Sequence, residues 1–222
     1  MDLNEALYTT RAMRRVKPDP IPEDAVKAML DAAIRAPSGG NSQNWRFVTV
    51  TEASVKAALG DLYRDAWKTL QETVYKKAFE LAEKQGNKQA LAIQSSSGWL
   101  AENFDRVPLW VFVFSRNDPT GASVYPGVWN MMLAARGLGI GTCLTTIAGW
   151  FKSDEVFDVL GVPADRGWTN NAAVSAGYPL GKWGTAQRRP ANQVVFSEQW
   201  GNRPDWTIEQ PLWMEPEGYG RD

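Results

Sequence analysis

Three arginines, Arg11, Arg14 and Arg15, crowd into a short stretch near the amino terminus. A guanidinium fork matches phosphate oxygens two at a time, so this cluster is a candidate anion site. The same residues would also make an ordinary cationic last turn of a helix, and position alone favours that reading. A second group is Ala36-Pro-Ser-Gly-Gly-Asn-Ser-Gln-Asn-Trp-Arg-Phe47. Ser38, Gly39 and Gly40 permit close backbone approach, while Asn41 and Gln43 offer both donors and acceptors. Such a loop suits a flat heterocycle edged with carbonyls and ring nitrogens. A surface turn would explain the glycines, but not Trp45 and Phe47 directly behind them.

What the chain lacks narrows the chemistry further. It has no histidine and a single cysteine, Cys143. Ser-His-Asp triads, Cys-His dyads, His/Cys zinc sites and intrachain disulfides are all excluded. Catalysis would then fall to carboxylates on a metal or to a bound organic cofactor. Eleven tryptophans supply large flat apolar surfaces for a core, an interface or a planar ligand. Gly137-Leu-Gly139-Ile-Gly141 closes a helix and enters a strand, the reverse of a nucleotide-binding glycine loop. Gly177-Tyr-Pro-Leu-Gly181-Lys182 has the wrong spacing for a phosphate loop.

The elements that must carry these residues can be read from periodicity. Asp2 and Glu5 make a capping box for a first helix running into Arg11–Arg15. Pro18, Pro20 and Pro22 force an extended connection, and residues 23–35 form a helix with Val26, Met29, Leu30 and Ala33 on one face. Arg46–Thr51 is a strand. Residues 54–94 are helical, with breaks near Gly60 and Gly86. Val107–Ser115 is a buried strand, and Cys143 is a small apolar filler in a strand over Ile140–Thr146. Between them a helix follows Pro126 and Gly127. Ser153 caps a brief helix ending at Gly161, and Asn171–Gly177 is the last strand. Strands separated by helices indicate a layered α+β or α/β domain.

With 24 basic against 25 acidic residues in 222, the net charge of −1 gives no field for nucleic acid or an anionic membrane. No apolar run is long enough to span a bilayer, and the start has no secretory signal, which points to a cytoplasmic address. Beyond Pro190, prolines interleave with Trp200, Trp206 and Trp213. Such an arm cannot bury its own tryptophans and needs something to lie against.

Arg11-Ala-Met-Arg14-Arg, Lys17-Pro-Asp-Pro-Ile-Pro and the Ala36–Phe47 loop resemble the amino-terminal signature of FMN-dependent nitroreductase-family proteins. The resemblance resumes over Tyr125–Thr146, Gly177-Tyr-Pro-Leu-Gly181 and Arg188-Arg-Pro190, covering most of residues 8–196. Thr10, Ala12 and Asn44 depart from the family's usual arginine, serine and proline. The resemblance implies an α+β fold of three layers, a central mostly antiparallel sheet flanked by helices. Residues 1–195 would form the FMN-binding domain, with a helical cover at about 60–105. Residues 196–222 would be an arm exchanged in a homodimer.

By the same resemblance, Arg11, Ala12 and Arg14 of one chain would meet the phosphate or the isoalloxazine edge of FMN. Pro37, Ser38, Gly39 and Asn41 would approach from the other chain. Leu144, Thr145 and Thr146 would lie near flavin N5, and Arg188 or Arg189 would complete the phosphate grip. Arg14 would stabilise negative charge on the reduced flavin, with no side chain acting as acid or base and no metal. The implied activity is hydride transfer through N5 from NAD(P)H to nitroaromatic, quinone or similar planar aromatic acceptors. Reductive dehalogenation, flavin fragmentation, natural-product dehydrogenation and flavin storage are the alternatives. Trp67, Tyr75, Phe79 and Trp99 would either line the acceptor pocket or serve as core.

Overall fold

Every side chain of the run Leu109-Trp-Val-Phe-Val-Phe-Ser115 is buried, which requires cover on both faces of the strand. The computed structural model, which describes residues 1–219, provides that cover. Four strands, β1 (Trp45–Val50), β2 (Leu109–Ser115), β3 (Gly141–Thr145) and β4 (Thr169–Gly177), form one sheet in the order β1-β2-β4-β3. Every pairing is antiparallel. Among the described residues the helices are α1 (Leu3–Thr9), α2 (Glu23–Ala33), α3 (Ala53–Leu70), α4 (Lys76–Gln85), α5 (Lys88–Glu102), α6 (Val124–Gly137), α7 (Ile147–Phe151) and α8 (Ser153–Leu160).

Period-two alternation divides the core in two. Trp110, Phe112 and Phe114 point to one face, where they meet residues of α3, α5, α7 and α8 such as Leu59, Leu100, Ala148 and Val156. Leu109, Val111 and Val113 point to the other, against Met29 and Ala33 of α2 and Val128 and Met131 of α6. Helices α2 and α6 pack closely because residue 127 is glycine: a Cβ there would lie 2.9 Å from the carbonyl oxygen of Ala33. The result is the expected three-layer α+β arrangement. Within it, residues 12–181 form one compact unit. Met1–Arg11 and, of the described residues, 182–219 form a second.

Three local expectations require correction. The first helix stops at Thr9, so the arginine cluster is not a helical last turn. Instead the backbone of residues 13–17 is extended and tied to distant partners. Met13 N donates to Thr142 O (2.8 Å), Lys17 N to Tyr178 O (2.7 Å) and Leu180 N to Arg15 O (2.9 Å). Gly60 lies inside α3 and does not break it; the missing Cβ leaves room for Asp105 and Phe104. The break falls instead at a π-helical turn, Gln71–Tyr75, between α3 and α4. Ser153 is the first residue of α8 and makes no capping hydrogen bond, and α7 just before it was not foreseen. Gly86 does end α4, in the left-handed conformation.

Candidate functional site

The extended segment carrying Arg14 lies beside β3 because two glycines allow it. A Cβ on Gly141 would sit 2.8 Å from the Met13 Cβ, and one on Gly177 would sit 2.8 Å from the Val16 Cβ. Met13 and Val16 are buried there, which directs the intervening Arg14 outward to a half-buried position. Its guanidinium Nη1 donates a long hydrogen bond (3.5 Å) to Ser96 Oγ on α5, whose own proton goes to the Ile93 carbonyl. Arg15 makes the parallel contact to Ser95 Oγ at 3.0 Å. No carboxylate pairs with Arg14 among the described residues.

Arg14 opens onto a cleft of about 410 Å³. Its floor is the end of β3 and the turn into α7, residues 143–147. Its walls are largely aromatic: Tyr63 and Trp67 of α3, Tyr75 of the π-helical turn, Phe79 of α4 and Trp150 of α7. Tyr63, Trp67 and Leu70 recur at i, i+4 and i+7, the spacing that brings one helix face to the cleft. The Tyr63 ring is fixed by Phe104 and Trp110, whose rings stack with centroids 4.1 Å apart and planes at 12°. Trp110 is itself held, its Nε1 donating to Phe104 O.

Electrostatics in the cleft are one-sided. Burial pushes the Tyr63 phenol well above the ordinary tyrosine range, against the hydrogen bond to Thr145 and the Arg14 charge, which pull it down. Burial also raises the Cys143 thiol, again opposed by Arg14. Both groups stay neutral at working pH, leaving Arg14 as the charge lining the cleft. Cys143 behaves as the apolar filler expected of it.

The anticipated site residues fall into separate places. Arg14, Leu144, Thr145 and Thr146 converge on the cleft, as do Trp67, Tyr75 and Phe79, while Trp99 is half-buried and does not line it. Ala12 is exposed two residues before Arg14. Pro37, Ser38, Gly39 and Asn41 form a turn away from this cleft, with positive φ at Gly40 (58°), Asn41 (53°) and Gln43 (50°). There Ser38 Oγ accepts from Gln43 N, and Ser123 Oγ accepts from Gly39 N. Arg11, Arg188 and Arg189 belong to the second unit. Arg11 Nη2 donates to Lys182 O, and Arg188 Nη1 to Gln187 O. Sequence reasoning missed Tyr63 and Trp150. The helical spacing from Tyr63 to Trp67 was a usable signal for the first, whereas nothing marked α7.

A model of the nitroreductase family matches residues 7–178, more than half the chain, and the protein belongs to that family. The NADH dehydrogenase of Thermus thermophilus is 27% identical over 216 residues, spanning 88% of this chain and 96% of its own. The 5,6-dimethylbenzimidazole synthase of Rhodospirillum rubrum is 27% identical over 215 residues, spanning 84% and 90% of the two chains. In fold, the chain resembles oxidized iodotyrosine deiodinase solved with FMN and 3-iodo-L-tyrosine. That match has a TM-score of 0.69 and 22% identity over 89% of this chain and 99% of the other. Family membership makes the protein an oxidoreductase of the flavoprotein class.

Proposed function

We propose that the protein is an FMN-dependent oxidoreductase that uses NAD(P)H to reduce nitroaromatic, quinone or similar planar acceptors, acting as a homodimer. The observation that carries this reading is Arg14: a half-buried cation, unpaired with any described carboxylate, at the mouth of an aromatic cleft. A cleft of about 410 Å³ lies within the range of small-ligand sites, roughly 300–1,000 Å³. Flat aromatic walls, one fixed cation and the polar strand end at Leu144–Thr146 fit a planar heterocycle with an electron-rich edge. Bound there, FMN would supply the two-electron chemistry at N5 for which a histidine-free chain has no side chain.

The chain's own groups then have definite tasks. Arg14 keeps its positive charge at any working pH and stabilises negative charge at the edge it faces. Leu144, Thr145 and Thr146 present backbone and hydroxyl groups, and Tyr63 fixes Thr145. Ala12 and Arg11 would approach from the same chain, and Pro37, Ser38, Gly39 and Asn41 from the second copy. Arg188 or Arg189 would bind the phosphate. Trp67, Phe79 and Trp150 exclude water and offer ring faces to an acceptor. The homodimer accords with the exposure of Trp200 (92%), Leu212 (72%) and Met214 (74%), apolar surface that a second copy would cover. The relative from Thermus thermophilus, a NADH dehydrogenase, supports a nicotinamide donor.

The test is the visible spectrum and flavin content of the purified protein before and after anaerobic NADPH or NADH, beside the Arg14→Gln variant. The wild type should carry FMN, lose its visible absorbance with a nicotinamide, and turn over nitrofurazone or a quinone. Arg14→Gln should bind FMN about tenfold or more weakly, since a charge-assisted contact is lost. A wild type that stays colourless in excess FMN, or an Arg14→Gln variant of unchanged affinity and reduction potential, defeats the reading. Turnover of a halogenated phenol without turnover of nitrofurazone or a quinone would assign the site to reductive dehalogenation instead.

A further inference from the structure

At the other margin of the sheet, β1, the end of β2 and the loop from α8 to β4 enclose a second cavity of about 500 Å³. Three arginines line it: Arg46, Arg116 and Arg166. The guanidinium carbons of Arg46 and Arg116 each lie 5.2 Å from the centroid of the Trp168 ring. None of the three forms an ion pair with a described carboxylate, although the chain has 25 acidic residues. Arg46 Nη1 is taken up by its neighbour's carbonyl, Trp45 O, at 2.6 Å. Arg116 Nε is buried with no hydrogen-bond partner.

The Trp168 ring attracts Arg46 and Arg116, but three cations lining one cavity repel one another, and a buried donor without a partner adds a cost of its own. An oxyanion would relieve both at once, because guanidinium groups match phosphoryl oxygens in geometry and charge. A dianion compensates three cations better than a carboxylate does. The cavity also exceeds what a bare oxyanion fills, and Val48, Phe114, Leu160 and Val162 give it an apolar lining. We propose that this cavity binds an organic phosphate monoester. Its phosphoryl group would lie among Arg46, Arg116 and Arg166, and its apolar portion against that lining. The site shares no lining residue with the Arg14 cleft and does not depend on the flavin reading.

Phenyl phosphate is a suitable probe, titrated calorimetrically into the purified protein at low ionic strength. Saturable binding is expected, with inorganic phosphate and benzoate each about tenfold weaker. Arg116→Gln should weaken phenyl phosphate about tenfold or more, the loss of a charge-assisted contact. Because Arg116 is half-buried, Arg166→Gln on an exposed turn provides an independent variant that leaves folding intact. It should weaken binding several-fold, while Arg14→Gln should leave it unchanged. The proposal is overturned by absence of saturable binding, or by affinity indifferent to both Arg116→Gln and Arg166→Gln. Equal affinity for inorganic and phenyl phosphate removes the organic portion. A cavity closed by a second copy would appear as Arg166→Gln weakening self-association with no phenyl phosphate bound, and this too overturns it.

Discussion

The phenol of Tyr63 donates a hydrogen bond to Thr145 Oγ1 across 3.2 Å, joining the buried core of α3 to the floor of the cleft. Because the Thr145 oxygen accepts from Tyr63, its own proton is left to point elsewhere. Tyr63→Phe keeps the ring packed on Phe104 and Trp110 but frees that hydroxyl to rotate. Thr145 is half-buried and can find water, so the stability cost should be about 1 kcal/mol, read from urea unfolding. Turnover should fall further than stability implies, by up to about tenfold in kcat/KM. Equal activity in folded Tyr63→Phe would show that the hydroxyl orientation is irrelevant.

The same buried phenol makes stability depend on alkaline pH. Tyr63 is raised above its unfolded value, so between the two values the unfolded chain releases a proton that the folded chain retains. Stability from this group is therefore complete below the unfolded tyrosine value of about 10 and declines above it, at up to about 1.4 kcal/mol per pH unit. Cys143 acts with the same sign, starting lower, from about pH 8.5. Urea midpoints measured from pH 8 to 11 should fall less steeply above pH 10 in Tyr63→Phe than in the wild type. Cys143→Ala should flatten the earlier part of the decline. Parallel curves for all three proteins would contradict the assignment.

Gly141 and Gly177 hold the arginine segment in place by what they lack. An alanine at either position would bring its Cβ to 2.8 Å from the Cβ of Met13 or of Val16, atoms that no side-chain rotation can move aside. At Gly177 the Pro108 Cδ at 3.1 Å closes the other escape. Each substitution should cost about 1–3 kcal/mol by thermal or urea unfolding. If Arg14 holds FMN as proposed, each should also weaken FMN binding more than a remote change of equal cost, because Arg14 is displaced with its backbone. Gly181→Ala, with open space around it, is the control and should change neither.

The parts of this architecture legible in the sequence are those that local pattern determines. The apolar run of β2, the i, i+3, i+4 face of α2 and the left-handed stop at Gly86 follow from neighbours a few residues away. Local pattern continues the first helix into Arg11–Arg15, but Met13, Arg15 and Lys17 take backbone partners at Thr142, Leu180 and Tyr178, more than a hundred positions distant. Gly60 misled for a related reason: its small size serves packing against Phe104 and Asp105, not backbone freedom. In the cleft, resemblance alone singles out Arg14 and Leu144–Thr146, and helical spacing leaves Trp67, Tyr75 and Phe79 between pocket and core. Trp150 was invisible because α7 has only five residues, too few to show a period.

Trp150 gives the sharpest separation between binding and folding. Its side chain lines the cleft yet is 66% exposed, so the folded chain gains little by covering it. Trp150→Ala should therefore alter unfolding stability by no more than about 0.5 kcal/mol. If a planar acceptor stacks there, losing an aromatic face worth about 0.5–1.5 kcal/mol should raise KM roughly two- to tenfold. An aliphatic acceptor of similar size should be affected less, since it gains from area but not from ring stacking. Steady-state kinetics with one aromatic and one aliphatic nitro compound, beside a thermal melt, make the comparison. Equal KM changes for both would reduce Trp150 to apolar cover, and a large fall in melting temperature would make it part of the core.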